Sequence, residues 1–141
     1  MSRLRSAAAG AVAATVWGLA EPLDQRLLGY DYADVAVLGK AVTRGPGWRL
    51  AGFALHAANG VVFGLVFEEL RQRVPLPPRR LAVAMALAEH GVLFPLGALV
   101  DRYHPARGEP GIPPMTTSPR AFAQATWRHY LFGTVLGRLA G

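Results

Sequence analysis

The chain has 141 residues, 52% of them hydrophobic, a mean hydropathy of +0.24 and a formal charge of +6. That apolar content exceeds what an ordinary soluble domain of this length carries and points to a membrane. With no cysteine, disulfides, thiolate-bound zinc and thiol chemistry are excluded. Of the 15 cations 14 are arginines, scattered as pairs rather than gathered into a basic face with interleaved aromatics, which argues against nucleic acid as a partner.

In chain order, the first apolar tract is Ser6 to Ala20, preceded by Arg3 and Arg5. It is short and Ala-rich and ends in Gly18-Leu19-Ala20, so it reads either as a retained span or, within residues 1–20, as a cleaved signal peptide. The stretch Leu27 to Val42 is too interrupted to span and reads as a short amphipathic helix at the interface. Leu50 to Phe67 contains no Asp, Glu, Lys or Arg and is the clearest spanning candidate. After the rigid link VPLPP (Val74 to Pro78) come Leu81 to Val100, interrupted by Glu89, and Ala121 to Gly137, interrupted by Arg128. Between these last two, Ala106 to Pro119 reads as an extended loop.

A 73-residue shift superimposes the chain on itself: His56 falls on His129, Gly60 on Gly133, Val62 on Val135 and Gly64 on Gly137. The same shift matches Gly18 with Gly91, Pro22 with Pro95, Tyr30 with Tyr103 and Pro46 with Pro119. The expected fold is therefore all-α: an integral membrane four-helix bundle of two tandem hairpins in a single domain, with repeat one at about 1–68 and repeat two at about 74–141. Arg3, Arg5, Arg71, Arg73, Arg79 and Arg80 favour cytoplasmic termini by charge density. The cations of the longer loops, Arg26, Lys40, Arg44, Arg49, Arg102, Arg107 and Arg120, argue the other way.

His56, Gly60 and Gly64 are spaced by four and share one helical face, as do His129, Gly133 and Gly137. These glycine faces allow close helix approach, within the chain or with a membrane-protein partner or a second copy. At ~1.5 Å per residue, His56 and His129 lie roughly 10 and 12 Å from the outer ends of their helices, with Asn59, Glu89 and His90 at roughly 15 Å. Polar groups from several helices thus share one slab. The fourth tract is marginal as a span, since about six apolar side chains at ~0.3–0.6 kcal/mol face ~2.5–3.5 for a central arginine. Arg128 needs a counterion, and Glu89, the one acid inside the expected spans, is the expected partner.

The candidate site is therefore His56, Asn59, Glu89, His90, Arg128 and His129, a set suited to a small ligand, a cofactor or a proton. His56, His90 and His129 are the candidate metal ligands, and a haem held by axial imidazoles is a further expectation. Neither is supported by spacing, because no H-x-x-x-H or H-E-x-x-H pair occurs. The repeat breaks at this point: copy one has Val16 and Trp17 where copy two has Glu89 and His90. Asp24, Asp101 and His104 form a second candidate group at an outer rim.

The segments EPLDQRLLGYDYAD, HAANGVVFG, EHGVLFPLGALVDRYHP and WRHYLFGTVLG resemble small four-span membrane proteins of unknown function from high-GC bacteria. That resemblance covers nearly the whole chain. It implies the bacterial inner membrane and carries no catalytic residue. Two other readings remain open: a membrane scaffold or assembly subunit without chemistry, and a soluble four-helix ligand carrier.

Overall fold

The computed structural model describes residues 2–141 and is all-helical. Its elements are α1 (Arg3–Leu28), α2 (Asp34–Val42), α3 (Trp48–Arg71), α4 (Pro78–Leu93), a 3-10 turn (Phe94–Leu96), α5 (Gly97–Tyr103) and α6 (Pro119–Leu139). Two helices are long and apolar enough to cross a membrane: Trp48–Arg71 and the interrupted run Pro78–Tyr103. α1 and α6 have the length, but their sequences are richer in Ala, Gly and polar residues.

The first expected tract ends too early. α1 continues through Pro22, which removes one backbone donor without ending the helix, and stops at Gly29, whose φ of 62° makes a left-handed C-cap. This keeps Glu21 and Asp24 helical, at i+4 and i+7 from Trp17, so all three share the buried face. The third tract is also not one helix: Pro95 lies in the 3-10 turn that separates α4 from α5. α6 starts where Ser118 accepts a hydrogen bond from Ala121 N at 3.3 Å, with Pro119 next to the cap.

α3, α1, α6 and α4 follow one another around the bundle, with α2 laid against α3. α3 and α4, which would complete the ring, scarcely touch. The glycine faces, expected to meet helices of this chain, of a partner or of a second copy, are filled by the chain's own helices. A Cβ on Gly60 would strike the Gly10 carbonyl and come within 2.8 Å of Ala14 Cβ, and one on Gly64 would strike Ser6, all on α1. Gly133 and Gly137 press on α4 in the same way, with a Cβ 2.6 Å from Val83 Cα and 2.5 Å from Arg79 Cα respectively. At the same end, Ser6 Oγ donates to the buried Glu68 at 2.7 Å.

The interior joints are thus made of Ala, Gly and paired polar groups, whereas Leu19, Leu23, Leu50, Val62, Val66 and Val92 lie exposed on the outside. The short helix expected within Leu27–Val42 is α2. The stretch expected as a loop folds back over it, burying Ala106 and Ile112 against Ala36 and pairing Ala33 N with Gly111 O at 2.9 Å.

Candidate functional site

Arg128 is fully buried on α6, and its partner is not Glu89. Its Nε donates to Asp24 Oδ2 at 2.7 Å and its Nη2 to Asp24 Oδ1 at 2.6 Å, a bidentate pair across the α1–α6 contact. Nη2 also donates to Tyr32 O at 2.7 Å, while Nη1 reaches Asp34 Oδ2 at 3.0 Å and Glu21 Oε1 at 3.6 Å. The guanidinium lies 4.8 Å from the Tyr32 ring centroid. Gln124, one turn earlier on α6, donates to Asp24 Oδ1 and Tyr30 O, both at 2.9 Å. The Glu89 pairing fails because Asp24, expected at the rim, is carried inward on the extended α1.

Asp34 is shared between this cluster and its surroundings. It accepts from Trp17 Nε1 at 3.0 Å and from the Tyr32 hydroxyl. Burial pushes its carboxyl up, but the Arg128 guanidinium and the hydrogen bonds outweigh that and hold it below the usual aspartate value. Burial, together with the adjacent Asp34 charge, pushes the Tyr32 phenol well above its usual value, so it stays a neutral donor.

The remaining rim residues are also committed. Asp101 accepts from Met115 N at 2.7 Å and from Thr116 N and Oγ1 at 2.9 and 2.6 Å. His104 Nδ1 accepts from Ala106 N at 3.0 Å, so its Nε2 carries the hydrogen donated to Val37 O at 2.8 Å. Both side chains tie the folded-back loop to the helices, and the expected polar mouth does not form from them.

His56, Asn59, Glu89, His90 and His129 all line one chamber of about 350 Å³, together with Trp17 and Asp34. Arg128 is the one member of the expected set that stands outside it, behind Asp34. Trp17 occupies the centre, edge-on to His56 at 4.9 Å and to His129 at 4.6 Å between ring centroids. His90 stands 4.9 Å from His129. The rest of the wall is apolar, with Phe63, Leu93, Phe94, Val100, Met115 and Phe132.

The imidazoles share the chamber without converging on a point. Among the described residues no group of three His, Asp or Glu side chains is placed to hold a metal ion, so the expected triad of His56, His90 and His129 is not a metal centre in this arrangement. Bis-imidazole haem ligation through His56 and His129 does not fit either, because the Trp17 indole packs against both rings.

Three buried side-chain atoms have no hydrogen-bond partner among the described residues: Gln124 Oε1 in the Arg128 cluster, Thr134 Oγ1, and one nitrogen in the chamber wall. His56 is only 8% exposed, yet its Nε2 has no hydrogen-bond partner. Buried polar atoms are ordinarily satisfied, and an orphan in a chamber wall is the mark of a site that something else completes. Trp17, Glu21, Tyr32, Asp34 and Gln124 were not anticipated as part of the site. The signal for the first two was the i, i+4, i+7 spacing of Trp17, Glu21 and Asp24. No protein-family model, curated protein or solved structure matches the chain.

Proposed function

We propose that the chain is a multi-pass protein of the bacterial cell membrane that binds a small ligand in the chamber between α3 and α4. The observation that carries this reading is the unpartnered Nε2 of the buried His56 in a wall that also presents His90, His129, Asn59 and Glu89.

The membrane half rests on the two apolar helices and on the many leucines and valines exposed on the outside of a bundle that buries Glu21, Asp24, Glu68 and Arg128. The duplicated-hairpin reading draws support from equivalent contacts at the 73-residue offset. Gly60 meets Gly10 as Gly133 meets Val83, and Gly64 meets Ser6 as Gly137 meets Arg79. Trp17 and His56, 4.9 Å apart, correspond to His90 and His129, also 4.9 Å apart.

A second reading, a scaffold without a ligand, is favoured by the Arg128 cluster, whose guanidinium is bonded at all three nitrogens and suited to fixing helix register. It leaves the chamber unexplained. The test is carbonate extraction of membranes, followed by native mass spectrometry of the detergent-purified protein beside His56→Phe and His129→Phe variants. The expected result is retention in the pellet and a small molecule held by the wild type alone. Release into the supernatant would identify a soluble bundle, and a wild-type chamber that carries nothing and takes up no added apolar compound would leave the scaffold.

A further inference from the structure

The chamber's hydrogen-bonding polarity narrows the ligand, an argument that rests on reading the chamber as a ligand site. His129 donates from Nδ1 to Ala125 O at 2.7 Å, so in the neutral ring Nε2 is a lone pair. Its nearest charged neighbour, Glu89 Oε2, is 3.7 Å away and makes no hydrogen bond. Thr126 Oγ1 gives its only hydrogen to Phe122 O at 2.8 Å, so it must accept from His90 Nε2, also at 2.8 Å. His90 Nδ1 is then a lone pair as well.

On the His90–His129 side of the wall the donors are already used, and Trp17 Nε1 and the Tyr32 hydroxyl both serve Asp34. Two imidazole lone pairs and Glu89 remain there, a set matched by a ligand that donates, while His56 and Asn59, which make no side-chain hydrogen bond, keep N–H groups from which a hydroxyl oxygen can accept. Asp34, the other carboxylate on the wall, is bonded by Arg128, Trp17 and Tyr32, so a buried ammonium would have Glu89 alone as counterion and would carry the desolvation cost of both charges. A neutral hydroxyl meets the acceptors without that cost.

The route is lateral. α3 and α4 scarcely touch, and the turn beside the chamber leaves Leu93 and Leu96 47% and 53% exposed at its lip. We infer that the chamber takes a lipid-soluble alcohol or phenol from the bilayer through the α3–α4 cleft. Its hydroxyl hydrogen is received by the His129–His90–Glu89 side, and its apolar body lies against Phe63, Phe94 and Phe132.

The test uses the full chain in lipid nanodiscs and compares the binding of four probes by calorimetry: 4-hexylphenol, its methyl ether 4-hexylanisole, 4-hexylbenzylamine, and the water-soluble, lipid-excluded 4-hydroxybenzenesulfonate. The phenol is expected to bind about ten-fold more tightly than the ether, the worth of one hydrogen bond to a well-placed acceptor. His129→Phe is expected to erase that difference while leaving ether binding intact. The sulfonate is expected not to bind.

Equal affinity for phenol and ether overturns the donor assignment but leaves the chamber as a binding site. Tighter binding of the amine replaces the hydroxyl by an ammonium, and sulfonate binding equal to that of the phenol overturns lateral access. If no probe binds, it is the ligand-binding reading itself that fails. Should His129→Phe not fold, the wild-type comparison of phenol with ether still decides.

Discussion

On the proposed duplication, with its 73-residue offset, α1 corresponds to α4 and α3 to α6, which makes the α1–α6 and α3–α4 interfaces counterparts. Their fates are opposite: the first is closed, and the second stands open as a chamber of about 350 Å³. The residues account for the difference. Asp24, Gln124 and Arg128 lock the first interface, and at their corresponding positions the second has Gly97, Ala51 and Leu55, which can form no ion pair. Trp17 corresponds to His90, so the side that lacks the ion cluster gains an imidazole. A buried guanidinium bonded at all three nitrogens acts as a joint, whereas a chamber wall with free imidazole lone pairs is available to a ligand.

The sharpest way to break that contrast is Arg128→Leu, which gives the closed interface the character of its counterpart. It strands Glu21, Asp24 and Asp34 around an apolar side chain, and removing one partner from a buried ion cluster costs about 3–5 kcal/mol. Denaturant unfolding of the detergent-solubilised protein should register that loss, and an unchanged midpoint would show that Arg128 is no joint. Gly60→Ala should cost about 1–3 kcal/mol by forcing α1 away from α3. Gly91→Ala, at a helical position where a Cβ meets nothing within 4 Å, should instead stabilise by about 0.5–1 kcal/mol. Thermal unfolding of the two variants in parallel tests the pair, and similar shifts would mean the glycine contact is not tight.

Acid should weaken the part of the closed interface that Asp34 supplies. Asp34 has a depressed pKa in the folded chain, so its contribution is fully present above the ordinary aspartate value and is lost as the pH falls through the lowered one. Asp34→Asn should remove that part of the acid dependence, about 1.5–3 kcal/mol for a hydrogen bond to a charged group. Urea midpoints measured from neutral pH downward for both proteins provide the check, and parallel curves would count against the assignment. The smallest stability effect is expected at the open side. His56→Phe replaces a ring with an unpaired nitrogen by an apolar one, so stability should change by less than about 1 kcal/mol in either direction. A loss comparable to that of Arg128→Leu would show that His56 is structural.

Much of the chamber was legible before any coordinates. His56, Asn59, Glu89, His90 and His129 line the same space because helical rise places them at similar depth and a four-residue period puts His56 and His129 on the glycine faces. The partner of Arg128 was not legible from the apolar tracts, since hydropathy ended the first at Ala20 while the helix runs to Leu28 and carries Asp24 into the interior. Tyr32 and Asp34 reach the cluster from the segment between α1 and α2, through a fold-back with no local signature.

Taken alone, the sequence determined that the chain is helical, the close glycine contacts and the level of the imidazoles, because each follows from periodicity and side-chain size within one helix. Tertiary structure alone decided which acid neutralises Arg128, which glycine face meets which helix, and which of two counterpart interfaces stays open. Those choices depend on side chains distant in the chain competing for the same buried space, where a charge goes to the nearest desolvated partner rather than to the one a span boundary suggests.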